Sequence, residues 1–286
     1  MPSRSSARFL LGTALAIVAA CMMIPQGWWL IYPFALVGTF IHEAGHALTT
    51  VLTGGHVEHF VIRLDTSGYV RSRGGLPLAT ASAGYLASVA AGGALLVAGT
   101  QARHVRTALY TTAGVLLAVT AFFSGVGASL LAFVAFVGGM LWISYLRTTR
   151  MAGQRPWTYR LGLLGGLFLM GGAIAYMFAT HGLLAWAVGG LMALVLWGIA
   201  TYASPKWQQG AVIFLGVQLA LDGLNSILTL WFATQSGHMH NDAASMAALT
   251  GLPAPFWAGV WGLLSLIVVV GALRRYGASR RMAGPL

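Results

Sequence analysis

His42-Glu43-Ala44-Gly45-His46 lies inside an apolar stretch that is uncharged from Trp28 to Ile41 and again from Ala47 to Gly54. A charged side chain within a membrane span costs about 2.5–3.5 kcal/mol even on the lenient insertion scales. A glutamate between two histidines at that depth therefore marks a functional site. Residues at i and i+4 stack on one helix face, so His42 and His46 can share one tetrahedral zinc ion. Glu43, one residue on, can reach a metal-bound water as general base. Gly45 suits close packing of this helix against a neighbour.

The rest of the chain fits a bilayer. Of 286 residues, 58% are hydrophobic and 7% charged, against about a quarter charged in a soluble domain. Apolar runs fall at 9–24, 28–53, 76–99, 106–123, 126–146, 160–179, 183–203, 210–233 and 254–273. The expected fold is all-α and polytopic, a single integral membrane domain over 1–286 with about eight or nine apolar helices. Within it, 28–99 carries the motif helix, a hairpin and a small-residue helix. A helical bundle follows over 100–233, then an Asp-containing loop and last helix over 234–273, and a basic, unstructured tail over 274–286. Cys21 is the only cysteine, so neither an intrachain disulfide nor a cysteine zinc site is available. The net charge of +11 points to anionic lipid and to orientation in the cell membrane. The basic residues form no continuous patch with interleaved aromatics, so no nucleic-acid partner is expected.

Basic connections at 100–107, 147–160, 204–209 and in the C-terminal tail alternate with connections lacking Lys and Arg. The alternation predicts a cytoplasmic C-terminal tail. Arg4 and Arg8 favour a cytoplasmic N-terminus as well, which conflicts with the number of segments by one crossing.

Residues 54–75 differ in kind. Val57 to Leu64 partly alternates and is β-branched, Asp65-Thr66-Ser67-Gly68 is a turn signal, and Tyr69-Val70-Arg71 follows. A short β-hairpin at the membrane rim is predicted. In the next helix, Gly84, Ser88 and Gly92 recur every four residues, which reads as a generic small-residue packing face.

Catalytic zinc usually takes a third protein ligand, and the chain has five acids. Glu58 and Asp65 fall in the hairpin and read as solvated or turn residues. Asp222 lies mid-segment in Leu221-Asp222-Gly223, and Asp242 follows His238-Met239-His240-Asn241. Asp242 reads equally well as a ligand or a helix N-cap, and His238 and His240 read as solvated loop residues.

Four stretches together resemble the site-two protease superfamily of intramembrane zinc metallopeptidases, nearest its compact bacterial and plant branch. These are His42 to Leu48, Gly54 to Glu58, Ser67 to Val70 with Arg73-Gly74-Gly75, and Ser82 to Leu86. Asn241-Asp242-Ala243 and Trp257 to Gly262 resemble that branch too. The resemblance implies that His42 and His46 bind zinc and that Glu43 is the general base. It favours Asp242, in a Ser-Asp-Ala-like motif, as third ligand over Asp222, whose Leu-Asp-Gly lacks the Asn-x-x-Pro lead-in of the larger enzymes. The implied activity is hydrolysis of peptide bonds in membrane-protein or membrane-proximal peptide substrates. The strand at 57–64 would supply an edge for an unwound substrate. A catalytically silent scaffold or regulator is the alternative, and a metal transporter a more remote one.

Overall fold

With no water to bond to, a backbone in the bilayer core must satisfy its own N–H and C=O groups, and the apolar runs accordingly fold as helices. The computed structural model describes residues 4–123, 156–179, 182–235 and 241–277, with isolated positions between 134 and 146. The element order begins with α1 (Arg4–Met23), a 3-10 turn (Pro25–Gly27), α2 (Trp28–Leu52), β1 (His56–Ile62) and β2 (Gly68–Arg73). Next come α3 (Pro77–Gly99), α4 (Ala102–Phe123) and α5 (Pro156–Ala179). Then α6 (Gly182–Trp186) passes through a π-helical turn (Ala187–Leu191) into α7 (Met192–Tyr202). The chain continues through α8 (Pro205–Gln235), α9 (Asp242–Thr250) and α10 (Ala254–Gly277). The expected apolar segment at 126–146 lies largely outside the described residues, as do the connections at 124–125 and 147–155.

Among the described residues, five helices are long and apolar enough to cross a membrane: Pro77–Gly99, Ala102–Phe123, Leu184–Tyr202, Pro205–Gln235 and Ala254–Tyr276. The fold is that of an all-α polytopic membrane protein with one small hairpin. Segments 9–24 and 28–53, expected as two separate spans, instead meet at 108° and satisfy the length and apolarity requirement as one bent pair. Extended Ile24 and the Pro25-Gln26-Gly27 turn make the break, since proline cannot continue the hydrogen-bond ladder of a preceding helix. The basic tail also starts later than expected. α10 continues through Arg274 and Arg275 to Gly277, because cationic side chains in a last turn complement the negative end of the helix dipole.

α3 and α8 form the close pair at the centre. A Cβ added to Gly92 of α3 would lie 2.6 Å from the Ala220 backbone nitrogen of α8, so the small-residue face brings the two backbones together. Gln209 Nε2 donates to the Gly99 carbonyl at 2.8 Å and ties the same two helices. Phe40, Leu109, Leu116 and Leu219 are buried in the core that joins α2, α4 and α8.

The hairpin lies along one stripe of α2. The Tyr32 hydroxyl donates to the Leu64 carbonyl, Thr39 Oγ1 donates to the Thr66 carbonyl at 2.6 Å, and Thr50 Oγ1 donates to Ser72 Oγ at 3.4 Å. The strands are antiparallel, with Val57 opposite Ser72 and His59 opposite Arg71. The unmatched Glu58 is a bulge residue, and its carboxylate pairs with Arg71 and Arg73. Phe60, Val61 and Ile62 are buried, so the far half of β1 is core and β2 is the more open strand.

Candidate metal centre

α2 presents His42 and His46 one turn apart, and their Nε2 atoms face each other at 3.0 Å. Asp242 Oδ2 closes a triangle with them, 3.5 Å from His42 Nε2 and 3.4 Å from His46 Nε2. Among the described residues these three form the one cluster of metal-ligating side chains. Two ligand atoms about 2.0–2.1 Å from a tetrahedral zinc stand about 3.3 Å apart. The observed separations match that spacing, and the donor set of two imidazoles and one carboxylate suits zinc.

A hydrogen bond to the backbone settles the tautomer of His46. Its Nδ1 lies 2.6 Å from the Thr80 carbonyl in the first turn of α3. A carbonyl only accepts, so Nδ1 carries a proton and Nε2 is the atom turned to the shared metal position, where it can bind a metal once it has lost any proton of its own. Tyr85, five residues further along α3, meets the His42 ring edge-on with centroids 4.5 Å apart. It stacks in turn on buried Trp261 of α10 at 5.3 Å.

Asp242 comes from a distant part of the chain, held by packing. Ala243 and Met246 of α9 are buried with Ala81, Tyr85, Ile227 and Trp261, which clamps α9 across α3, α8 and α10. The N-cap role weighed for Asp242 belongs to Asn241. Its backbone is extended and its side chain accepts from the Ala244 N–H at 2.8 Å. Asp242 is the first helical residue and turns to the imidazoles. Burial pushes its carboxyl up, but hydrogen bonds and charge from His42 and His46 outweigh this and hold it well below the usual carboxylate range. Gly251, in the left-handed conformation, ends α9, as glycine does at a helix C-terminus.

Glu43 is buried and lies on the α2 face that turns toward the hairpin. A Cβ on Gly68, the first residue of β2, would come within 2.9 Å of Glu43 Oε1. Two cavities meet at this point. One, about 630 Å³, is bounded by His42, Glu43, His46, Asp242 and β2. The other, about 550 Å³, extends from His42 and Glu43 toward α8. The strand that lines the metal site is therefore β2, in place of the expected edge at 57–64, because β1 is buried against the helices.

The other acids lie elsewhere. Asp222 faces Gly38, one turn before His42, and belongs to no ligand cluster among the described residues. Glu58 is held in its arginine pairs. Asp65 closes the hairpin turn by accepting from the Ser67 hydroxyl and N–H, which keep its carboxyl below the ordinary range. His238 and His240 lie outside the described residues.

Gly84 is the site residue that reading the sequence did not find. Any Cβ there would strike Nε2 of both His42 and His46. The small-residue face expected to serve packing alone thus also keeps the space between the imidazoles clear. The signal was present as the first glycine of the Gly84-Ser88-Gly92 series, but nothing in it pointed toward α2.

The chain matches the Peptidase M50B-like family model over residues 13–168 and 150–272. No curated protein and no solved structure matches it.

Proposed function

The chain belongs to the Peptidase M50B-like family, and from that premise we propose that it is a membrane-embedded zinc metalloprotease acting on membrane or membrane-proximal substrates. The observation that carries this reading is the convergence of His42, His46 and Asp242 beside Glu43.

In this reading His42, His46 and Asp242 hold zinc. When bound, the ion supplies Lewis-acid polarisation and makes a water acidic enough to ionise near neutral pH. Glu43 takes a proton from the water that attacks the scissile carbonyl and passes it to the departing amine nitrogen. Thr80 positions His46 through its carbonyl, and Tyr85 restrains the His42 ring. A helical substrate hides its peptide bonds in its own ladder, so it must unwind before attack. β2 borders Glu43 with one edge free of β1, and it offers strand addition to an extended segment.

The test is metal content and proteolysis measured on the same purified protein. Wild type should carry one zinc and cleave a membrane-peptide substrate, whereas Glu43→Gln should keep the zinc and lose cleavage. Stoichiometric zinc without cleavage of any membrane substrate would favour the silent scaffold instead. Protein lacking zinc under conditions that protect it would remove the enzymatic reading altogether.

A further inference from the structure

The cavity on the α8 side of His42 and Glu43 has a polar wall that the proposed chemistry does not use. Along α8, Gln218, Asp222, Asn225, Ser226 and Thr229 all line it. Their spacing of three and four residues puts them on one helix face. Among the described residues, no Lys or Arg lines this cavity.

Two of these groups are acceptors without a donor. Gln218 is 1% exposed, and its Oε1 has no hydrogen-bond partner among the described residues. Asp222, one turn along, forms no hydrogen bond or ion pair there either, and it packs against Gly38 across the helix interface. The missing side chain at Gly38 is what gives the carboxylate room, since a Cβ would collide with Asp222 Oδ2. An ionisable group kept unpaired within a membrane span marks a functional site. An unpartnered carboxylate on a polar cavity wall calls for a ligand that only donates, and ammonium and guanidinium groups have that character.

Location names the ligand. Gly38 precedes His42 by one helical turn, about 5.4 Å along the axis, so Asp222 lies one turn from the candidate metal centre. That is within the reach of a lysine stem whose backbone lies at the metal. Lysine and arginine also gather at the ends of transmembrane helices, where a substrate segment is easiest to unwind.

Resting on the protease reading, we propose that Asp222 is the anchor of a specificity pocket for a Lys or Arg side chain of the substrate, close to the scissile bond. In this view Asp222 binds substrate and is not a zinc ligand.

The experiment uses full-length, zinc-loaded protein in detergent. The probes are fluorescent alanine–leucine peptides carrying a single lysine or norleucine scanned through each position. Binding is measured on Glu43→Gln and hydrolysis on wild type. At one position lysine should bind at least tenfold more tightly than norleucine. Adding Asp222→Asn should bring that ratio within twofold while zinc content stays at one. Lysine and norleucine peptides that bind alike at every position overturn the pocket, and this comparison needs no variant at Asp222. A lysine preference that survives Asp222→Asn overturns it too. Hydrolysis by wild type without lysine selectivity overturns the pocket and leaves the protease reading intact. Lysine-selective binding with no hydrolysis of any peptide supports the pocket and counts against the protease.

Discussion

Asn241 caps the helix that Asp242 begins, and this division of labour frees the Asp242 carboxylate to reach His42 and His46. A capping acid would point back at its own helix and present no oxygen to the imidazoles. Asp242→Ala should therefore lower zinc affinity at least 100-fold, beyond the roughly 10–100-fold typical of residues that only support a ligand. Asp222→Ala, Glu58→Ala and Asp65→Ala should keep stoichiometric zinc. Asn241→Ala should cost about 1 kcal/mol of stability, the usual worth of an N-cap, and weaken zinc only partly. Metal analysis of the purified variants, with thermal unfolding of Asn241→Ala, checks all five.

Gly84 and Gly92 belong to one small-residue series on α3 and should fail differently. A methyl at Gly84 meets the Nε2 atoms of both imidazoles, so Gly84→Ala should fold, keep its helix content and lose zinc. A methyl at Gly92 meets the Ala220 backbone, which cannot step aside. Gly92→Ala should destabilise the α3–α8 contact by about 1–3 kcal/mol, as overpacking does. Thermal unfolding and zinc content measured side by side separate the two outcomes.

These two glycines mark the limit of what the sequence discloses. His42, Glu43 and His46 are legible because their geometry is local: four residues of helix fix which side chains share a face. The long helices are legible because the bilayer leaves the backbone little choice. Asp242 is separated from the motif by most of the chain, and only its resemblance to a known motif pointed to it. Gly84 and Gly92 look alike in sequence, and only the fold shows one facing imidazoles and the other a backbone. The bend between α1 and α2 was equally hidden, since Pro25-Gln26-Gly27 reads as an ordinary connection between two spans. The hairpin was legible, but the strand that would meet a substrate was not, because which strand is buried depends on the helices above it.

Metal affinity should fall as the solution is acidified, and the sign follows from who holds the proton. His42 and His46 hold Asp242 ionised to well below the ordinary carboxylate range, so Asp242 remains an anionic ligand through mildly acidic pH. A ring nitrogen binds metal only when it has lost its proton. Protons therefore compete with zinc at the imidazoles and not at the carboxylate. Log affinity should fall with decreasing pH with a slope of at most about two, one proton for each imidazole. Competition with a chelator of known affinity, measured across pH, gives the slope. In Asp242→Asn the affinity should be lower at neutral pH.

Gly68 tests whether Glu43 must be placed as well as present. A side chain at Gly68 would meet the Glu43 Cγ and Oε1 and the Thr39 methyl, all within 3.0 Å. Gly68→Val should therefore displace the Glu43 carboxylate while leaving His42, His46 and Asp242 undisturbed. Misplacing a reacting group by about 1 Å can cost 100-fold in rate. The expected result is full zinc occupancy with proteolysis reduced about 100-fold, and a smaller loss in Gly68→Ala. Because β2 begins at this residue, the alternative is that the hairpin unpairs and uncovers the site. Protease sensitivity of the 63–67 turn distinguishes the two: an intact turn with lost activity assigns the defect to Glu43. Full activity in Gly68→Val would mean that the Glu43 position seen beside β2 is not the one used in catalysis.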